Sequence, residues 1–345
     1  MTALGGSDTL RYLQSKFYNV EIDNVDIYNN IICVSERVMK PVYAFGEVLV
    51  DALQNGTVTE QGLTMPQAVF YPGGGPANAA VAAARLGVRA LFIGQVGRDR
   101  FGQYLKAALN HYGVDTRYLR STNAPTPMAV VSLDQSGERS FQFYRQGTAD
   151  VMLAAHKLPN PNDFVPGIVH VCSNTLTEPG IRRVHIGFID RCRAAGNLIS
   201  FDVNLRKILW PDQTNFREPI HAMLKRADVI KVSREELEEL WDGDAEASLI
   251  EWAFAHEAKA IFITDGAGPV TLITPESRQQ MAVPEVCVVD TTGAGDAFSG
   301  SILVSLSRDE IPDWSAALSQ AVKCGAWAVG RPGAFASLPT AEDIQ

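Results

Sequence analysis

The sequence predicts an α/β fold with a mostly parallel sheet covered by helices on both faces. Three observations carry this. Short apolar runs alternate with longer runs of helical periodicity along most of the chain. A length of 345 residues suits one large α/β domain with a small appendage. Near the C-terminus a glycine-rich turn leads from an apolar run directly into a helical one.

The elements follow in order. Residues 1–41 precede the alternation. Ser7 is placed to cap a helix over 8–17, and apolar residues between Val20 and Val34 suggest short strands around Asn29 and Asn30. This extension carries no recognisable chemistry. We expect a packing or oligomerisation element, with a disordered tail as the alternative. Strands are expected at 43–45, 91–95, 168–171, 198–201, 229–231, 261–264 and 286–289. Helices are expected at 76–86, 101–111, 182–195, 216–227, 234–240, 249–257 and 297–306. Two stretches break the rhythm. Residues 49–65 and 126–144 read as antiparallel strands, the second alternating around a polar turn at 134–138.

Composition excludes several functions. Hydrophobic residues make up 46% and charged residues 20%, as in a globular protein. The net charge is −9 and no dense Lys/Arg run occurs, which argues against nucleic-acid and anionic-membrane partners. No apolar run reaches the ~18 residues of a membrane span, and the N-terminus lacks a signal-peptide core. The five cysteines, Cys33, Cys172, Cys192, Cys287 and Cys324, form no C-x-x-C pair, so reduced thiols and a cytoplasmic location are expected. The six histidines form no zinc-type cluster.

The most informative stretch is 286–306. Val286, Val288 and Val289 read as the end of a buried strand, Gly293-Ala294-Gly295 as a turn, and Phe298, Ile302, Leu303 and Leu306 as a helix face. A glycine turn feeding a helix aims unpaired N–H groups and the helix dipole at one point, which attracts anions. A dinucleotide fingerprint is one reading, but Phe298 occupies its third glycine position and Asp296 would repel a pyrophosphate. A turn needed only for packing is another. A carboxylate in an anion cradle is better placed to take a proton from a nucleophile attacking a phosphate held there.

The run from Asp290 to Phe298, D-T-T-G-A-G-D-A-F, resembles the C-terminal signature of the ribokinase-like, or PfkB, carbohydrate kinases. The resemblance extends from about Tyr43 to Pro339 and is greatest to bacterial fructokinases. It implies a ribokinase-like three-layer α/β/α sandwich over 42–345, with lid segments at about 49–66 and 125–146 that also form a homodimer surface. It implies transfer of the γ-phosphoryl of ATP to a sugar hydroxyl. Asp296 would be the base, and Gly293, Ala294, Gly295 and Asp296 the anion hole.

The resemblance also assigns roles elsewhere. Asp51, at the end of the first strand, would accept hydrogen bonds from sugar hydroxyls; a surface carboxylate is the alternative. Gly74, Gly75 and Asn78, in a glycine-rich turn leading into a helix whose first turn holds Pro76, would contact the sugar. The segment 93–102 is expected to be structural. Arg145 is the better sugar-facing candidate of two lid arginines, Arg139 being the other; a solvated strand charge is the alternative. In Asp202-Val203-Asn204-Leu205-Arg206, followed by Trp210-Pro211, Asp202 would reach Mg²⁺ through water and Arg206 the transferred phosphate; a structural Asp–Arg pair is the alternative. Glu236 keeps an acidic position linked to magnesium, while Ser233 stands where asparagine is usual and also reads as a helix cap in a capping box. Thr264, Gly266 and Gly268 would form the nucleotide loop. Asp290, Thr292 and Ser337 would hold a monovalent cation such as K⁺. Val322 departs from the asparagine often found there, which points to different adenine contacts.

The expected reaction is fructose to fructose 6-phosphate. The DVNLR segment, Ser173-Asn174-Thr175-Leu176 and the lid run GERSFQFYR favour it, with Phe141, Phe143 and Arg145 sharing one strand face. The alternatives are a 2-keto-3-deoxygluconate kinase, a ribokinase- or riboside-type kinase, and a non-catalytic sugar- or nucleotide-sensing protein. A redox enzyme is more distant.

Overall fold

A computed structural model describes residues 39–133, 139–210, 215–309 and 312–344, with the side chains of 133, 139 and 141 also outside the description. The expected elements of the N-terminal extension, the polar turn at 134–138, Cys33 and Pro211 lie outside the described residues. The chain separates between Val38 and Met39, and the unit from Met39 onward contains every candidate site residue.

That unit is built on nine strands: β1 (Val42–Phe45), β4 (Ala90–Gly97), β5 (Asp115–Thr122), β8 (Ile168–Cys172), β9 (Leu198–Asp202), β10 (Val229–Ser233), β11 (Ala260–Thr264), β12 (Val270–Ile273) and β13 (Arg278–Met281). Their order is β13-β12-β11-β10-β9-β8-β1-β4-β5. All neighbours are parallel except β11–β12 and β12–β13. The helices are α1 (Gly75–Arg85), α2 (Arg100–His111), α3 (Pro179–Ala194), α4 (Arg217–Leu224), α5 (Arg234–Leu240), α6 (Ala245–Ala255), α7 (Ala294–Arg308) and α8 (Trp314–Val329).

The period-2 pattern of β1 divides its side chains between two cores. Val42 and Ala44 join the core beneath α1, α7 and α8, and Tyr43 and Phe45 join the core beneath α3 and α4. Three layers result, as expected for this sandwich.

Small residues set one inter-helix distance. A Cβ on Gly300 of α7 would lie 2.3 Å from the Ala82 methyl of α1. The alanine-rich run of α1 therefore serves close approach to another helix as well as to the sheet.

The lid is a separate sheet, ordered β3-β2-β6-β7, made of β2 (Leu49–Glu60), β3 (Leu63–Gly73), β6 (Met128–Leu133) and β7 (Arg139–Tyr144). Each hairpin is antiparallel, but β2 and β6, which join them, are parallel. Both leave the core sheet in the same direction, after β1 and β5. The first lid segment extends to Gly73, past the expected boundary near 66. As expected, 93–102 is structural. Asp99 caps α2 through Gly102 N–H at 2.8 Å and holds Thr126, at the base of β6, through its N–H and hydroxyl.

One expectation fails. Val286, Val288 and Val289 form no strand and are 40%, 66% and 54% exposed. β13 ends at Met281, and residues 282–292 form no helix or strand. Val286 and Val288 line a cleft instead of a core. Apolar character alone does not distinguish those two settings. β5, β12, β13 and α8 carried no sequence expectation.

Candidate active site

The carboxyl ends of β1, β8, β9 and β10 converge where the strand order reverses, around β1, and such reversals open a crevice in α/β sheets. A cavity of about 520 Å³ lies there, lined by Glu47, Asp51, Gly74, Gly75, Asn78, Asn174, Asp202, Arg206, Lys231, Ser233, Glu236, Thr264, Thr292, Gly293, Gly295 and Asp296, among others. A cleft of about 710 Å³ adjoins it and shares Thr264, Thr291 and Gly295. The cleft is mostly apolar, with Val270, Val283, Phe298, Val322 and Val329 on its walls.

The first turn of α7 sits between the two. Gly293, its N-cap, has φ 81°, a left-handed conformation that costs glycine little. The first intrahelical bond is Ala297 N–H to the Gly293 carbonyl at 2.8 Å, and Ala294 N–H turns toward the Thr291 carbonyl at 3.4 Å. The N–H groups of Gly295 and Asp296 precede that first bond, at the positive end of the helix dipole.

Asp296 accepts a 2.7 Å hydrogen bond from the side-chain amide of Asn78. Its pKa is pushed up to about 7, by burial first and then by the Asp202 charge, against the pull of Asn78, Lys231 and Arg206. Asp51 is also pushed up to about 7, by burial and then by the Asp296 charge, with Arg206 opposing. A carboxylate titrating near neutrality is suited to proton transfer.

Asp202 and Glu236 face the cavity with their oxygens engaged. Both oxygens of Asp202 accept from Lys231 Nζ at 3.0 Å, and one also accepts from the Ser299 hydroxyl at 3.0 Å. The alternative reading, a structural Asp202–Arg206 pair, does not form; Arg206 bonds the Leu205 carbonyl at 3.3 Å. Glu236 completes the capping box with Ser233 and accepts Leu205 N–H at 2.7 Å, tying the loop after β9 to the start of α5.

Other expected residues stand apart. Arg145 does not line the cavity. Its guanidinium binds Asp150 at 2.5 Å and the Asn174 carbonyl at 2.6 Å, behind the site. Gly268 lines neither space; its N–H closes a turn on the Asp265 carbonyl at 2.6 Å, while Gly266 lines the cleft. Asp290 accepts Thr292 N–H at 2.7 Å and Gly333 N–H at 3.0 Å, beside a cavity of about 40 Å³ that Asp51 and Thr292 also line. Ser337, buried, donates to the Ala334 carbonyl at 2.8 Å.

Sequence reasoning assigned no role to Glu47 and Lys231, and cited Asn174 and Asn204 only within longer motifs. Glu47 is 1% exposed, accepts from the Asn174 amide at 2.9 Å, and leaves Oε2 without a partner. Burial raises its pKa, with Arg145 and Asn174 opposing. The available signal was a charge set within the apolar run 42–50. Lys231 gave the same signal, an ammonium between buried Ile230 and Val232. Asn204 adopts φ 40°, left-handed backbone uncommon outside glycine.

A family model described as pfkB family carbohydrate kinase matches residues 39–341. The chain is 35% identical over 314 residues to a fructokinase of Vibrio alginolyticus, covering 89% of this chain and 98% of that protein. It is 36% identical over 311 residues to a fructokinase of Klebsiella pneumoniae, covering 88% and 98%. The fructokinase of Xylella fastidiosa with bound ATP superposes with a TM-score of 0.80 at 34% identity, covering 89% and 97%. A fructokinase double mutant of Vibrio cholerae, solved with fructose, ADP and potassium ion, gives 0.79 at 33% identity, covering 90% and 100%.

Proposed function

The chain belongs to the pfkB family of carbohydrate kinases, and from that membership we propose that it transfers the γ-phosphoryl group of ATP to the 6-hydroxyl of fructose. The position of Asp296 carries the reading: a carboxylate of raised pKa in the first turn of α7, where a polar cavity meets an apolar cleft. The sugar occupies the polar cavity, with Asp51, Gly74, Gly75 and Asn78 among its contacts. The base and ribose occupy the apolar cleft. ATP phosphates lie along the N-terminus of α7, where the N–H groups of Gly295 and Asp296 stabilise the transferring charge. Asp296 takes the proton of the attacking hydroxyl. The lid excludes water.

Among the described residues no group of three His, Cys, Asp or Glu side chains is placed to hold a metal ion by itself. Mg²⁺ keeps several waters and binds largely through substrate phosphates, so it needs few protein ligands. Asp202 and Glu236, their oxygens already engaged, are the carboxylates that would meet it through water. The ion would neutralise phosphate charge. Asp290, with Thr292 and Ser337 nearby, is the proposed place for a monovalent cation; the Vibrio cholerae fructokinase noted above was solved with potassium ion.

Homodimerisation through the lid is part of this proposal. Leu63, Val69, Phe70 and Tyr144 of the lid strands are 65%, 38%, 45% and 55% exposed. A cytoplasmic location accords with the free thiols of Cys172, Cys192, Cys287 and Cys324 among the described residues. No described helix is long and apolar enough to cross a membrane.

The test is ADP release on adding fructose, ribose or 2-keto-3-deoxygluconate at fixed Mg²⁺ and ATP. Fructose should give the highest kcat/KM. A rival sugar exceeding it by about tenfold would overturn the fructose assignment and leave the kinase assignment standing. No turnover with any sugar, together with retained sugar binding, would favour the sensing alternative.

A further inference from the structure

We propose that Lys231 is a catalytic residue whose ammonium contacts the phosphoryl group in flight, and that Asp202 and Ser299 position it. The inference rests on the phosphoryl-transfer reading above.

Lys231 projects into the polar cavity from the middle of β10, where the neighbouring residues Ile230 and Val232 are buried. Its side chain is 13% exposed and that of its partner Asp202 is 2% exposed. Desolvating such a pair is expensive, and apolar replacements of similar size often serve stability equally well. The pair is also more elaborate than stability requires. Asp202 bonds the ammonium through both oxygens and is itself held by Ser299. Ser299 lies three residues after Asp296 on α7, so one helix face carries both the base and the anchor of the lysine.

The ammonium is aimed at the anion cradle. A Cβ on Gly295 would lie 3.2 Å from Lys231 Nζ, so the charge lies against the first turn of α7, where phosphate is expected. An ammonium has three N–H donors. The bonds of Lys231 both go to Asp202, which leaves donor capacity for an oxygen in the cavity. Arg206, the cation expected from the sequence, is exposed and bonds a single carbonyl. It must be ordered before it can act. Lys231 is already ordered, and preorganised charge is what stabilises a transition state most effectively.

Three measurements on the full chain test this. Lys231→Met should lower kcat by roughly 10²–10³-fold, the usual scale for one preorganised donor. The fructose KM and the ADP dissociation constant should stay within about threefold. In the unmodified protein, aluminium fluoride with fructose should tighten ADP binding, because it mimics the transferring phosphoryl; Lys231→Met should abolish that tightening. A kcat within about tenfold of the parent, or retained tightening, overturns the proposal.

Lys231→Met leaves Asp202 as an unpaired buried carboxylate, so the double variant Lys231→Met/Asp202→Asn serves as the folded control. It should show at least the same loss. Recovery of kcat in the double variant would mean that Lys231 only neutralises Asp202. Ser299→Ala, which touches the lysine only through Asp202, should lower kcat in the parent and cause no further loss in the Lys231→Met background. Additive losses would overturn the positioning role. An unmodified protein inactive on every sugar would instead overturn the kinase reading beneath it.

Discussion

The side-chain amide of Asn78, at the start of α1, donates its 2.7 Å hydrogen bond to Asp296, at the start of α7. The bond lies one helical turn from the Ala82–Gly300 contact that sets the spacing of the two helices. Asn78, expected from the sequence as a sugar ligand, also opposes the burial and the Asp202 charge that raise the pKa of Asp296. Its Oδ1 is buried without a protein partner, which leaves an acceptor for a sugar hydroxyl.

Asn78→Ala removes a bond that favours the ionised form of Asp296. The acid limb of kcat/KM should move to higher pH, with about a tenfold loss at pH 7 that shrinks in alkaline buffer. Asn78→Asp should be worse near neutrality, because two adjacent carboxylates share one proton. A pH–rate profile on each variant checks this; an unmoved acid limb in Asn78→Ala would sink the coupling.

Asp296→Asn should lower kcat by about 10²–10⁴-fold while ADP binding persists. It should also stabilise the ligand-free protein at alkaline pH. The folded pKa is about 7 against an ordinary value of 3.8. Between those values the folded chain holds a proton that the unfolded chain has released, so stability falls as pH rises through that window. Removing the carboxylate avoids the loss, by on the order of 2 kcal/mol after allowing for partial exposure. The melting-temperature difference from the parent should be clear at pH 8 and vanish near pH 4. A variant less stable than the parent at pH 8 would contradict the buried-charge account.

Gly293 and Gly295 should fail differently. Gly293 has φ 81°, so Gly293→Ala strains the backbone by roughly 1 kcal/mol or more and should lower the melting temperature. Gly295 lies within the helix, and a side chain there meets the end of Lys231 rather than fixed backbone. Gly295→Ala should fold normally and lose at least about tenfold in kcat. Calorimetry beside steady-state kinetics separates the two; a fully active Gly295→Ala protein would remove the reason for a glycine there.

Deleting residues 1–38 should preserve sugar phosphorylation, while assembly or solubility changes. The cut should not go further. Lys40 N–H bonds the Ser307 carbonyl at 2.9 Å, and the Pro41 carbonyl accepts Ile168 N–H at 3.0 Å. Deletion through 41 should therefore destabilise the fold. Gel filtration and the coupled ADP assay read both effects; lost activity in a folded 39–345 chain would place the extension in the site.

Much of this was legible in the sequence, where local rules and tertiary needs coincide. β1, β4 and β8 to β11 are apolar runs buried on both faces, and α7 announces itself through its glycine turn. The segment 286–289 misled because apolar residues also suit the wall of an open cleft. β13 was missed because it reads Arg-Gln-Gln-Met, with no apolar alternation. Asp296, Asp51, Asn78 and Glu236 stood out through motif and position. Arg145 did not behave as expected because Asp150, five residues along, competes for its guanidinium. Such partnerships depend on loop geometry that spacing does not encode. Lys231 and Asp202 are 29 residues apart, and their pairing follows from the parallel register of β9 and β10, Asp202 beside Lys231.

The parallel joint of the lid constrains the order in which the chain matures. Each hairpin closes over a few residues, but Val50 must meet Met128, and no local turn brings them together. That meeting requires β1, which precedes β2, to be seated beside β4, with β5 in place to launch β6. During synthesis, a ribosome-bound chain that has exposed residues up to 111 can fold α1 and α2 yet holds only half a lid. The edge of β2 then remains an open template until β6 emerges. Protease protection of Leu49–Glu60 in stalled nascent chains should therefore appear only after Tyr144 has cleared the exit tunnel.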